Sequence, residues 1–201
     1  IRSINESIGQ RTNNRVLISD RDLNTTASIY AALEDFSREH NYSGLAISDW
    51  PVFQQELDIH PGVAFSWLED QNSIPVASEG DVMGAATMIL MNAISLNDAY
   101  LLDMAAIDTD NSAMLMWHCG GSPLTLADES GIKCINHSTL GRKVPNGRMT
   151  GAVADLVFRE GPVTVSRLSD DGNVLFSFDA DIVATDSKGY EGCRGWISNF
   201  T

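Results

Sequence analysis

Cysteine is scarce in this 201-residue chain: Cys119, Cys134 and Cys193 are three and scattered, too few for a disulfide framework. No CxxC pair occurs, which argues against a structural zinc site. Positive charge is scarce as well. The formal net charge of −14 would repel phosphates and so argues against nucleic acid or anionic membrane as a partner, while it does not exclude a small neutral substrate. The longest apolar stretch, Met83–Leu96, is interrupted by Asn92 and falls short of the ~20 residues that a membrane span needs. A charged-then-apolar leader, internal repeats and low-complexity segments are also lacking. Gly120-Gly121 has neither a Walker lysine nor GxGxxG spacing, so no nucleotide site is assigned. The composition reads as that of a soluble, globular chain, and a cytoplasmic setting is the expectation. Its 43% hydrophobic and 20% charged residues are enough for one large or two small domains with a real core. The start at Ile1 and the strand-like ending GCRGWISNFT lead us to expect a portion of a longer protein.

What is present falls into two halves. Arg15–Ser19 reads as a short strand, and Asn24 as the cap of a helix over about 25–40 with Ile29, Tyr30, Leu33 and Phe36 on one face. Leu45–Ser48 is a buried run of strand length. Pro51 then opens a second helix, and a third spans Pro61–Asp70. The strand-like run Ile74–Ser78 follows, and a helix from Asp81 carries Val82, Ala85, Ala86, Ile89 and Ala93 at helical spacing. This alternation predicts a partial α/β layer with parallel strands over residues 1–96. Residues 97–201 change character. Seven short runs separated by Gly, Pro, Asn and Asp predict a mostly antiparallel, barrel-like β domain: Tyr100–Ile107, Ala113–His118, Lys133–His137, Ala152–Phe158, Pro162–Leu168, Val174–Phe178 and Gly195–Phe200. Asp171-Gly172 marks the centre of a hairpin turn.

The functional candidates cluster between residues 76 and 123. Glu79 ends a strand-like run just before a helix, where ligands gather in open α/β sheets. The competing reading makes Glu79 or Asp81 a helix cap, and Asp81 fits that role better. Asp103, 24 positions after Glu79, interrupts an apolar run; the alternative is the solvent face of a half-buried strand. His118, 15 positions further on, closes the run Met114–Trp117, a pattern more common for a hydrogen-bonded core histidine than for a ligand. Acids in apolar segments cost several kcal/mol to bury unpaired, and a divalent cation is one partner for both. Two oxygen donors and one imidazole suit Mn²⁺, Mg²⁺ or Co²⁺. Cys119 lacks an activating partner, which disfavours a cysteine hydrolase. Arg167 and Arg194 could contact a polyol, with surface salt bridges the better expectation.

At these residues the chain resembles the L-fucose isomerase and L-arabinose isomerase superfamily, nearest its fucose isomerase-like branch. The likeness rests on Pro75-Val-Ala-Ser-Glu-Gly-Asp-Val82, Leu102-Asp103 and Trp117-His-Cys-Gly120 with Ser122-Pro123. Ser48-Asp-Trp-Pro51 and Gly161-Pro-Val-Thr-Val-Ser-Arg167 support it, and it spans roughly residues 25–200. The resemblance implies a middle α/β domain and a C-terminal β-barrel, with a further N-terminal domain outside this chain. It implies an aldose–ketose isomerase using Mn²⁺ or a similar cation, with Glu79 and Asp103 as metal ligands and acid/base groups. A sugar substrate and a homo-oligomer, a trimer or hexamer of the full-length protein, follow from it too. A non-catalytic sugar-binding or regulatory protein on the same scaffold, or a metal-dependent lyase or hydrolase, is the rival reading. The chain departs from the family in two places: Asp49 stands where members often carry cysteine before Trp-Pro, and no histidine follows His137 to match a further histidine ligand near the family's C-terminus.

Overall fold

The computed structural model describes residues 1–137, 150–185 and 190–201, without the side chain of Asp170. Five helices and a parallel strand pair come first, and a seven-stranded mixed sheet follows. The α/β-then-β order expected from the sequence is the observed one.

Helix α1 (Arg2–Arg11) precedes α2 (Asp20–His40). α2 starts five residues earlier than the sequence predicts. The Ser19 side chain caps it by accepting the Asp22 N–H at 3.1 Å, and Asp20 and Asp22 favour the positive end of the helix dipole. Asn24 instead accepts a hydrogen bond from Asn5 at 2.7 Å, which docks α1. Arg15–Ser19 makes one parallel bridge, Val16 to Cys134, and no strand, because the chain must leave at Ser19 to begin α2.

Strand β1 (Leu45–Ala46) lies parallel to β2 (Val76–Ala77). Between them come α3 (Val52–Glu56) and α4 (Gly62–Asn72). Residues 62–69 of α4 are all buried, the polar Ser66 and Glu69 together with the apolar majority, against α2, β2 and a later strand, β6 (Val153–Val157). Phe65 and Leu68 are closed to solvent, each burial worth about 1.5–3 kcal/mol. Helix α5 (Val82–Ser95) follows β2 and is capped by Asp81, which accepts the Gly84 N–H at 2.8 Å. The cap reading thus holds for Asp81.

The remaining strands are β3 (Asp103–Asp108), β4 (Ala113–His118), β5 (Lys133–Ile135), β7 (Gly161–Ser169), β8 (Val174–Val183) and β9 (Cys193–Ser198). β7 and β8 pair from Gly161↔Ile182 to Ser169↔Val174. Their turn carries Asp171 and Gly172 at φ +52° and +86°, the positive values that tight hairpins need. β9 organises the sheet. One edge pairs with β4, while the other pairs first with β6 in parallel and then with β8 antiparallel. The switch falls at Gly195, where a Cβ would stand 3.0 Å from the Phe158 ring. Splitting one edge between two strands makes an open, branched sheet, and among the described residues it does not close into a barrel. One core cluster draws on both halves of the sequence, from Phe65, Leu68 and Val76 to Leu124, Leu156 and Cys193. No helix among the described residues is long and apolar enough to cross a membrane.

Candidate active site

Three chain segments meet where the parallel pair ends. The first is the exit of β1. Ile47 donates to Ala77 O at 2.8 Å and accepts from Gly80 N–H at 2.9 Å, so main-chain pairing continues past the strand. The second is the single turn Ser78–Gly80 after β2, with Glu79 at φ +59° and Gly80 at φ +70°. A left-handed backbone costs a non-glycine residue about 1–2 kcal/mol. Glycine carries no such cost, and Glu79 is held by its neighbours. The third is the end of β4, which delivers His118.

Asp49 and Ser78 are the fasteners. Asp49 is 1% exposed, and its Oδ1 accepts the Glu79 N–H at 2.7 Å. Ser78 and His118 are both buried, with Ser78 Oγ 3.0 Å from His118 Nε2. His118 Nδ1 faces the Cys119 sulfur at 3.5 Å. Asp103, at the start of β3, lies in register with Trp117, so β-pairing carries it to the neighbourhood of His118. Both Glu79 and Asp103 are exposed to solvent.

Burial lowers the basicity of His118, and the carboxylates of Asp103, Glu79 and Asp49, in that order of effect, raise it in part. The three acids therefore share one electrostatic neighbourhood around the imidazole. His60 lies behind it. Its Nδ1 stands 4.0 Å from Asp49 and its Nε2 3.2 Å from Cys119 O, and burial drives its pKa down to about 3, so the ring is neutral at physiological pH. The rings of His137 and Trp117 extend this cluster, His137 lying 6.3 Å from His60 and 6.1 Å from Trp117 between centroids.

The structure thus gathers Glu79, Asp103 and His118 around one place. Among the described residues, neither the Glu79 nor the Asp103 carboxylate has a hydrogen bond or ion pair. A hard divalent cation suits such donors. His118 suits it less, because its Nε2 is engaged by Ser78. No three His, Cys, Asp or Glu side chains among the described residues stand together as a metal-binding group. The donors that fit a cation are the two carboxylates. Asp49, Ser78 and His60 were not singled out from the sequence. Only Asp49 carried a signal, an acid before Trp-Pro at the end of a parallel strand.

Arg167 and Arg194 are committed elsewhere. Arg167 forms a bidentate pair with Asp81, and Arg194 lies 2.6 Å from Asp155 in a buried pair. The expectation of a surface salt bridge holds for Arg167; Arg194 is paired as well, but its pair lies in the interior rather than at the surface.

No family model matches the chain. Over 120 residues it is 35% identical to a protein named sulfoquinovose isomerase from Alkalicoccus urumqiensis, a match covering 58% of this chain and 27% of that relative. The similarity is to sugar isomerases. A protein of the same name from Priestia aryabhattai is 27% identical over 149 residues, 72% of this chain and 32% of that relative. The chain therefore spans about a third or less of the length of the curated relatives it matches. These relatives agree with the resemblance to sugar isomerases at the level of the reaction.

Proposed function

We propose that this chain carries the proton-transfer site of a metal-dependent aldose–ketose isomerase, acting on a sugar of the sulfoquinovose kind. One observation carries the reading. Two carboxylates, Glu79 and Asp103, with no hydrogen bond or ion pair among the described residues, lie around a buried histidine at the end of a parallel strand pair, in a chain similar to sulfoquinovose isomerases. A cluster of acids such as this suits a neutral polyol end and a cation, and disfavours a phosphate.

Glu79 and Asp103 would hold Mn²⁺, Mg²⁺ or Co²⁺, which would polarise the sugar carbonyl and its neighbouring hydroxyl. The work of this chain is proton management. One carboxylate takes the proton from C2 of the open-chain aldose and returns it to C1, through an enediol. The second carboxylate receives the hydroxyl proton from O2 and returns one to O1, so the substrate formula is conserved. Ser78 fixes the His118 ring, and the neutral imidazole and Trp117 wall the site on the side of β4.

The absence of a three-ligand group among the described residues favours a second reading, a sugar-binding or regulatory protein without turnover. Calorimetric titration with Mn²⁺ separates the two. Binding by the parent chain that is lost in both Glu79→Gln and Asp103→Asn supports one carboxylate site. Incubation of the full-length protein with a panel of aldoses, sulfoquinovose included, should then yield the ketose of unchanged mass. Mn²⁺ binding without any ketose would favour the binder.

A further inference from the structure

The Asp49 carboxylate does more than occupy the core. It sits beyond the end of β1, 1% exposed, and the close partner of its side chain among the described residues is the backbone N–H of Glu79 at 2.7 Å. That residue holds a left-handed conformation, which glutamate rarely adopts without support. The next N–H, of Gly80, is bound by Ile47 O at 2.9 Å. Two consecutive donors of the turn are thus gripped by the exit of β1, one by main chain and one by a carboxylate. A charged acceptor makes the stronger bond of the two kinds. The second oxygen of Asp49 lies 4.0 Å from His60, too far for a hydrogen bond, so among the described residues the Glu79 contact is where this side chain acts.

We propose that Asp49 is a positioning residue. By binding the Glu79 N–H it locks that residue in the left-handed region and so fixes the direction in which the Glu79 carboxylate leaves the strand end. Cation affinity then depends on Asp49, a residue that touches neither cation nor sugar. The proposal rests on Glu79 being a working carboxylate, as argued above.

Asp49→Asn keeps an acceptor oxygen at the same reach; Asp49→Ala removes it. Should the alanine chain fail to fold, Asp49→Ser replaces it, because its hydroxyl falls one bond short of the Glu79 N–H. The first readout is free of any metal: the backbone carbon shifts of Glu79 and the hydrogen exchange of its amide, by NMR. The parent and Asp49→Asn should show left-handed shifts and a protected amide, and Asp49→Ala neither. The second readout is Mn²⁺ calorimetry, where Asp49→Ala should weaken binding on the order of 10–100-fold and Asp49→Asn by much less, as for residues that orient metal ligands. A Glu79 that stays left-handed and protected in Asp49→Ala overturns the proposal. Unchanged Mn²⁺ affinity in that variant, with the backbone released, also overturns it. A parent that binds no Mn²⁺ defeats the metal reading of the site instead, and the NMR readout still decides whether Asp49 sets the turn.

Discussion

His118 Nε2 and Ser78 Oγ lie 3.0 Å apart, both residues buried, and the contact fastens the end of β4 to the turn after β2. The two halves of the sequence meet at this point. A strand from the second half presents its last side chain to the loop from which the first half presents Glu79. Ser78→Ala leaves a buried ring nitrogen without its partner, a loss of about 1–3 kcal/mol. Urea unfolding should show the midpoint falling accordingly with an unchanged m-value. A variant as stable as the parent would mean that the contact ties nothing together.

Another tie between the halves is Arg167 with Asp81. The Arg167 side chain is 45% exposed and that of Asp81 25%, so solvent screens much of the attraction. Arg167→Ala is expected to cost no more than about 1 kcal/mol, and less at high salt. Asp81→Ala loses the same pair and also the cap on Gly84 N–H, and should cost about 1 kcal/mol more. Measuring both variants in low and high salt separates the contributions, because capping is the less salt-sensitive of the two. Equal losses would show that the cap contributes little.

All three cysteines are buried and free of disulfides. Burial raises the thiol of Cys134 to about 12 and that of Cys193 to about 11, and pushes Cys119 higher still. Thiolate, the reactive form, is therefore scarce at all three near neutral pH. A thiol-reactive chromophore at pH 8 should label none in the folded chain and all three in denaturant. Rapid labelling of Cys119 in the folded chain would reopen the nucleophile reading that its neighbours disfavour.

Much of this arrangement was legible in the sequence because short-range physics carries it. The strand β4 matches its predicted bounds, the Asp171-Gly172 turn sits at its predicted centre, and Asp81 caps α5 as its position implies. Local spacing also singled out Glu79, Asp103 and His118, which the fold gathers in one neighbourhood. Pairings across the chain were not legible. Nothing local says that β9 divides one edge between β6 and β8, so the expected barrel became an open sheet. The start of α2 was missed because Asn24 carries the same capping chemistry as Ser19, and only the docking of Asn5 decides between them. Asp49 escaped notice as a functional residue for a similar reason. Its role lies in an acceptor for an N–H thirty residues away, and side-chain reach of that kind leaves no periodic trace.

Glu69 offers a test with a definite sign. Its side chain is buried in α4, where Oε1 accepts the Val76 N–H at 2.8 Å and Oε2 has no partner among the described residues. Burial first, then the charges of Asp98 and Asp70, raise its pKa well above the ordinary 4.5, against the Val76 N–H. The folded chain therefore binds this proton more tightly than the unfolded chain does. Its contribution to stability is complete below about pH 4.5 and is lost as pH rises through the folded value. Glu69→Gln keeps an acceptor for Val76 and carries no charge to bury. It should gain about 1 kcal/mol or more over the parent at pH 8, with the difference vanishing only below about pH 4. Urea midpoints of the two chains across that range give the answer. A gain that is the same at both pH values would place its origin in packing, and a loss at pH 8 would mean that the buried carboxylate is ionised and compensated.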